Sequence, residues 1–291
     1  MQWAAVVVNY EAGHLLFSCV DALVGSELGP VEIVVVDNGS EDGSVAMLER
    51  DYPGIAIVRP GANLGYGRAA NLGIAATTAP VIAVLNPDVE VENGAAAHML
   101  NRFVDDPRLA ALGPAILNTD GSLYPSARRA PGITDAIGHA LLGGIAPGNR
   151  FTRAYRELDA DPEIPRDVDW LSGAAVWLRR DALDVVGGWD EEYFMFFEDI
   201  DLCRRLNAAG WRVSYEPAAC VTHVVGVSRA GRPYRSIYWH HRAAYRYAAN
   251  WWQGRRRLLL PGAAIFLAAR GLAQGLRESV RTRPKIEPVT E

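Results

Sequence analysis

Carboxylates set among aromatic rings are the first chemistry visible in this chain. Residues 187–202 read Gly187-Gly188-Trp189-Asp190-Glu191-Glu192-Tyr193-Phe194-Met195-Phe196-Phe197-Glu198-Asp199-Ile200-Asp201-Leu202. A solvated acidic helix would not carry such a run of rings beside its charges. A carboxyl group against apolar rings is held back from ionising, which suits a general base. The spacing predicts a helix that keeps Glu198 and Asp199 at its N-terminus and turns Leu202 and Leu206 inward, ending by Gly210. An acidic helix cap is the plainer use of the same residues.

Three further loops carry groups suited to an anionic ligand. Asp37-Asn38-Gly39-Ser40 follows an apolar run; an ordinary turn would use these residues, and so would a carboxylate accepting hydrogen bonds from a nucleobase. Residues 61–71 place glycines at Gly61, Gly65 and Gly67 before a helix, whose free N–H groups can face a phosphate. The spacing is not the dinucleotide fingerprint GxGxxG. Asn86-Pro87-Asp88 leaves another apolar run, where a carboxylate can hold a divalent ion against a diphosphate. His223 stands after Cys220-Val221-Thr222, at a strand end rather than on a helical face.

The elements that must position these loops are legible in the pattern. Residues 4–8, 32–36, 55–58 and 81–85 are short β-branched-rich runs, and 14–24, 45–51 and 69–76 have helical composition. Such alternation predicts an α/β fold with a mainly parallel sheet covered on both faces, and ligands at the carboxyl ends of its strands. Residues 129–168, rich in Gly, Pro and Ala, read as a long irregular connection. From residue 236 to about 280 the pattern is helical, with a break expected at Pro261 and Gly262.

In this order and spacing the loops resemble the family 2 glycosyltransferases, inverting enzymes of the GT-A fold, over residues 4–228. The matching pieces are Asp37-Asn38-Gly39-Ser40, Asn63-Leu64-Gly65-Tyr66-Gly67 with Asn71, Asn86-Pro87-Asp88, Trp170-Leu171-Ser172-Gly173, residues 187–202, and His223. The rhamnosyltransferase branch is the nearest likeness, carried also by residues 121–128, which end in Arg128. The resemblance implies a Rossmann-like sheet flanked by helices, with a nucleotide-sugar half over about 1–115 and an acceptor half over about 116–228. It implies nucleotide-sugar contacts from Asn9, Asp37, Asn38, Asn63, Gly65, Tyr66, Gly67, Asn71, Asn86 and Asp88. Acceptor contacts would come from Arg128, Trp170, Ser172, Gly173, Trp189, Asp190 and Glu191. Asp199 would be the catalytic base beside Glu198, and Asp88 with His223 would hold Mg2+ or Mn2+. The usual Asp-x-Asp reads Asn86-Pro87-Asp88 here, which leaves one carboxylate for the metal. The implied donor is dTDP-L-rhamnose and the implied acceptor a polyprenyl-diphosphate-linked N-acetylglucosamine of cell-wall linker synthesis. UDP-galactofuranose or UDP-GlcNAc as donor, and a non-catalytic membrane scaffold, are the alternatives.

Charge divides the chain in a way the net value of −5 conceals. Residues 1–228 carry 16 basic and 31 acidic side chains, a balance of −15; residues 229–291 carry 13 and 3, a balance of +10. That distribution argues against a protein that wraps nucleic acid and leaves an anionic partner for the tail. Between Tyr234 and Trp252 the tail has seven Tyr or Trp residues among arginines, followed by Arg255-Arg256-Arg257. This composition suits a helical extension lying peripherally on an anionic membrane surface, at the cytoplasmic face of the plasma membrane. The apolar run 258–269 has 12 residues, short of the ~20 that span a bilayer. The N-terminus reads as a buried strand rather than a signal peptide. Cys19, Cys203 and Cys220 lack CxxC spacing, against a disulfide scaffold or zinc finger and in keeping with a reducing cytosol. Lys285 is the single lysine, so no Gly-rich loop carries the lysine a triphosphate-binding nucleotidyltransferase would need.

Overall fold

A computed structural model describes residues 1–129, 132–157, 159–224 and 233–281. Residues 229–232 and 282–291 of the expected tail therefore lie outside the described residues.

Near-continuous runs of small and β-branched residues make the first half a sheet. The strands β1 (Trp3–Asn9), β2 (Glu32–Asp37), β3 (Ala56–Val58) and β4 (Val81–Leu85) are parallel, in the order β3-β2-β1-β4. Helices α1 (Leu15–Val24), α2 (Ser44–Asp51) and α3 (Tyr66–Ala75) connect them. These follow the expected runs closely. Successive residues of each strand feed opposite faces. Ala5, Val7, Val35 and Ala83 pack under α1 and α2, whereas Val6, Val8, Val34 and Val84 pack under α3.

The second half extends the same sheet. After β5 (Val89–Val91) and α4 (Ala95–Asp105) come β6 (Leu109–Asn118), the short pair β7 (Leu123–Tyr124) and β8 (Ala127–Arg128), and helices α5 (Ile133–Leu142) and α6 (Arg150–Arg156). Then follow β9 (Arg166–Asp167), β10 (Trp170–Leu171), β11 (Ala175–Arg179), α7 (Arg180–Val186), α8 (Glu198–Ala208) and β12 (Arg212–His223). β11 lies antiparallel between β4 and β6, while β12 runs parallel to β6. Two differences from expectation have clear causes. Residues 129–168 hold two short helices and a strand rather than an irregular connection: Asn149 caps α6 through Phe151 and Thr152 N–H groups. The segment around Cys220 is one end of a 12-residue strand, interrupted by a register shift between Glu216 and Cys220.

The carboxyl ends of β1, β2, β4, β6 and β12 open on one edge. β11 starts there, because Ala175 pairs with Leu85 and the Asn86 N–H bonds Ala174 O at 2.8 Å. All candidate loops thus meet at one edge.

Beyond the sheet, α9 (Pro233–Trp251) folds back onto the catalytic half and adds Ala243 and Tyr247 to the core under α8. A 3-10 turn (Gly254–Leu259) leads to α10 (Leu260–Arg281). Pro261 does not break this helix, since it occupies the first turn, where its missing N–H is not needed. The helical run Gly254–Val280 is 27 residues long and contains an 18-residue stretch of mean hydropathy 1.4, so the helix is longer than the apolar run and, by length and composition, could cross a membrane. It packs along α9 instead: Gly271 lies against His241 and Gly275 against Tyr234.

Candidate active site

The Gly-rich loop is built by side chains at the strand edge. Asn38 Nδ2 donates to Asn63 Oδ1 and Gly65 O, each at 3.2 Å, and its Oδ1 accepts from the Leu64 N–H at 2.8 Å. Gly65 is required by geometry. Its φ is 90°, and a Cβ there would lie 2.4 Å from Phe194 O. The adjacent Tyr66 N–H donates to that same carbonyl at 2.9 Å. The loop therefore lies flush against the aromatic segment that precedes Glu198. Asn38 and Gly65, expected to face the nucleotide, shape this contact.

Asn9 and Asp37 end adjacent parallel strands and are both buried. Asn9 Nδ2 contacts Ser40 Oγ at 3.1 Å and Ser44 Oγ at 3.0 Å, and Asp37 accepts from the Ser40 N–H at 3.1 Å. Asn9 Oδ1 is buried without a hydrogen-bond partner.

The carboxylate pair opens α8. Phe196 and Phe197 both have left-handed backbones, φ 71° and 66°, a conformation costing ~1–2 kcal/mol per non-glycine residue. This reversal sends the chain into α8 with Glu198 buried and Asp199 half-buried. Asp199 Oδ2 accepts from the Gly173 N–H at 3.0 Å and Oδ1 from the Ile200 N–H at 2.8 Å. Desolvation dominates and holds the Asp199 carboxyl above the ordinary aspartate range, although these two donors and the Arg128 charge pull the other way. Tyr66 ties the cluster together. Its hydroxyl donates to Gly173 O at 2.5 Å, and its ring meets Trp189 edge-on at 5.5 Å. Desolvation, then the charges of Glu198, Asp199 and Asp88, hold that phenol well above its usual range. Carboxylates from two separate loops thus act on one hydroxyl through their charge.

Asp88 and His223 meet across the sheet because β5 pairs antiparallel with β12, setting Val89 opposite His223. His223 Nε2 lies 3.1 Å from Asp88 Oδ1, and their side chains are 11% and 6% exposed. Two ligands at right angles on an ion with ~2.1 Å bonds are ~3 Å apart, so the pair fits adjacent positions of an octahedral divalent ion. Among the described residues no group of three or more His, Cys, Asp or Glu could hold a metal. Ligands beyond these two would come from substrate oxygens and water, as suits a site that binds a diphosphate. Asn86 contributes its backbone N–H to Ala174 O.

A second cluster centres on Arg128, one of the residues expected at the acceptor. Its guanidinium lies over the rings of Trp170 at 4.8 Å, Tyr124 at 5.5 Å and Tyr155 at 5.8 Å, while Nε donates to Pro125 O at 2.6 Å. β8 pairs with β10, setting Arg128 opposite Trp170. Ser172 is buried, with its N–H on Ser126 O at 2.8 Å. Tyr124 belongs to the 121–128 stretch that carries the resemblance but was given no role of its own, and Tyr155 was not anticipated, because it comes from a helix in the segment read as irregular.

Trp189, Asp190 and Glu191, expected at the acceptor, are engaged by other protein groups. Trp189 is 2% exposed, walled in by Tyr66 and Gly67. Asp190 accepts from Arg246 Nη2 of α9 at 3.0 Å. Glu191 accepts from Arg68 Nε at 2.9 Å and from Asn71 Nδ2 at 3.2 Å. Asn71 also bonds the Trp189 backbone, giving 2.9 Å to its O and 2.9 Å from its N–H. Their charges and rings fix the turn that carries the carboxylates.

Comparison with known proteins gives this arrangement a lineage. Residues 4–187 match the family model of glycosyl transferase family 2. The chain is 36% identical over 296 residues to N-acetylglucosaminyl-diphospho-decaprenol L-rhamnosyltransferase of Mycobacterium tuberculosis, covering 97% of this chain and 96% of that protein. A mannosyltransferase from Pyrobaculum calidifontis, solved with GDP-Man and Mn2+, superposes with a TM-score of 0.59 at 15% identity, covering 97% of this chain and 76% of that one. GalNAc-T7, solved with UDP, GalNAc and Mn2+, gives 0.57 at 15% identity over 77% of this chain and 44% of that protein's length. At such identity the two structures establish the fold, a GT-A sheet flanked by helices. With a near-full-length relative and a family model matching residues 4–187, the chain belongs to glycosyl transferase family 2 and is an enzyme of that class.

Proposed function

We propose that the enzyme moves L-rhamnose from dTDP-L-rhamnose to a polyprenyl-diphosphate-linked N-acetylglucosamine, with inversion at the anomeric carbon. The observation that carries the reaction type is that Asp199 and Tyr66 both bond Gly173, while Asp88, paired with His223, is close enough for its charge to raise the Tyr66 phenol. The donor and acceptor are inferred from the near-full-length relative. Asp199 takes the proton of the acceptor hydroxyl as that oxygen bonds the anomeric carbon, and the bond to the dTDP oxygen breaks on the opposite face. Mg2+ or Mn2+ at Asp88 and His223 would supply positive charge against the leaving diphosphate. Asn9 and Asp37 meet the base, and Arg128 faces the acceptor diphosphate.

The same reading puts the enzyme on the cytoplasmic face of the plasma membrane, where a lipid-linked acceptor is found. Leu258, Ile265, Leu272, Leu276 and Val280 are 68–80% exposed along one helical run, beside the exposed Arg255, Arg256 and Arg257. Because α10 packs along α9, crossing the bilayer would drag Arg235, Arg242 and Arg246 with it, so α10 lies in the interfacial plane. Flotation with anionic liposomes at low salt should capture the full chain, and neutral liposomes should capture less.

The decisive assay offers dTDP-L-rhamnose, UDP-galactofuranose and UDP-GlcNAc in turn with a synthetic polyprenyl-diphospho-GlcNAc and Mg2+ or Mn2+. Product from the rhamnose donor, cut by about 10²-fold or more in Asp199→Asn, is expected. Product from a UDP-sugar alone would overturn the donor, and no product from any would favour a scaffold.

A further inference from the structure

The tail helix does more than carry the chain toward lipid. One face of α9 touches the acidic–aromatic segment at every turn. Arg235 lies over the Phe194 ring at 5.0 Å, and Trp239 stacks on that ring at 4.4 Å and 20°. The His240 ring meets Phe196 edge-on at 5.5 Å and Phe197 at 5.6 Å. Arg246 pairs with Asp190 at 3.0 Å, Tyr247 meets Phe197 at 5.7 Å, and Trp251 Nε1 donates to Asp201 Oδ1 at 2.8 Å. These residues recur on one face, and Tyr234, Tyr238 and Tyr245 are exposed. Two adjacent left-handed phenylalanines hold such a backbone only where their surroundings over-determine it. His240 lies against both rings.

We propose that α9 is part of the catalytic apparatus, and that His240 is a positioning residue which holds Phe196 and Phe197 in their reversed conformation and so aims Asp199. The proposal rests on the reading of Asp199 as the base. His240 touches no substrate in this scheme; it acts through the two rings.

The test compares His240→Ala with His240→Phe, which keeps a ring at the edge-on position, in the full-length protein. His240→Ala should lower kcat about tenfold or more with the donor KM within about threefold, and His240→Phe should restore most of it. The acid limb of kcat should move to lower pH in His240→Ala, as water reaches Asp199. Glu198, Tyr66, Arg128 and Tyr155 still surround that carboxyl in both variants, so His240→Phe should keep the wild-type limb. Hydrogen exchange of residues 194–201 gives a readout independent of substrate: their amides should exchange about tenfold faster in His240→Ala while those of β1 do not change. Wild-type exchange at 194–201 with wild-type kcat in His240→Ala would overturn the positioning role. Faster exchange in His240→Ala with kcat and pH limb unchanged would instead show that the rings do not aim the base. An inactive wild-type enzyme alongside faster exchange would fault the assigned reaction and leave the ring clamp standing.

Discussion

Replacing Gly65 by alanine tests whether the nucleotide loop and the catalytic segment are a single packed unit. At φ 90° and ψ 168° an L-residue is strained by ~1–3 kcal/mol. The added Cβ would lie 2.4 Å from Phe194 O and 2.8 Å from Phe194 Cα, both backbone atoms that cannot rotate away. Relief requires Phe194 to retreat by roughly an ångström, which breaks the 2.9 Å bond from the Tyr66 N–H, worth ~0.5–1.5 kcal/mol. The sum is ~2–4 kcal/mol. Gly61→Ala is the control: its φ is also positive, 81°, but nothing lies within 4 Å of its Cβ, so the cost is strain alone, ~1–2 kcal/mol. Urea denaturation followed by tryptophan fluorescence should separate the two variants by ~1–2 kcal/mol. Turnover should separate them further. Moving Phe194 shifts the Phe196–Asp199 segment, so kcat of Gly65→Ala should fall about tenfold or more while Gly61→Ala stays near wild type. Equal stability of the two variants, with normal turnover in Gly65→Ala, would refute the argument that the loop is wedged against Phe194.

Further expectations concern charge at the site. Asp199 must be deprotonated to act, and its pKa is raised, chiefly by desolvation; kcat should therefore decline on acidification at a higher pH than an ordinary aspartate would dictate. Arg128 opposes that shift, so Arg128→Gln should move the acid limb of the kcat profile higher still, and a downward move would contradict the placement. His223→Ala removes one of the two protein ligands proposed for the metal. Calorimetric titration of Mn2+ in the presence of dTDP should show affinity weakened by about tenfold or more, and unchanged affinity would remove His223 from the metal site.

The parallel half of the fold was readable because local and global preferences agree there. Residues 4–8, 32–36 and 81–85 are short runs rich in β-branched and small apolar residues that suit a buried strand, and Asn9, Asp37 and Asn86 mark where each run ends. The second half was less readable. β6 and β12 owe their length to each other as sheet partners, and the bulge before Cys220 hid most of β12 from a period-two reading. The helices between 129 and 168 have weak periodicity because they are short and rest on caps such as Asn149.

For the site, the amino-acid sequence alone determined which chemistry is present: carboxylates beside aromatics, a lone Asp88, a strand-end His223, and a Gly-rich loop before a helix. Residue type sets acidity, ligand character and backbone freedom, and these need no neighbours to be read. The tertiary structure decided which of those residues meet. Trp189, Asp190, Glu191, Asn38 and Asn71 hold the turn and loop through bonds to other protein groups, Asp199 and Tyr66 meet at Gly173, and Asp88 pairs with His223. It also decided that the aromatic tail presses its rings onto the catalytic segment. Contacts of this kind join residues tens of positions apart, and their energy comes from burial and close packing, which exist only once the chain has folded.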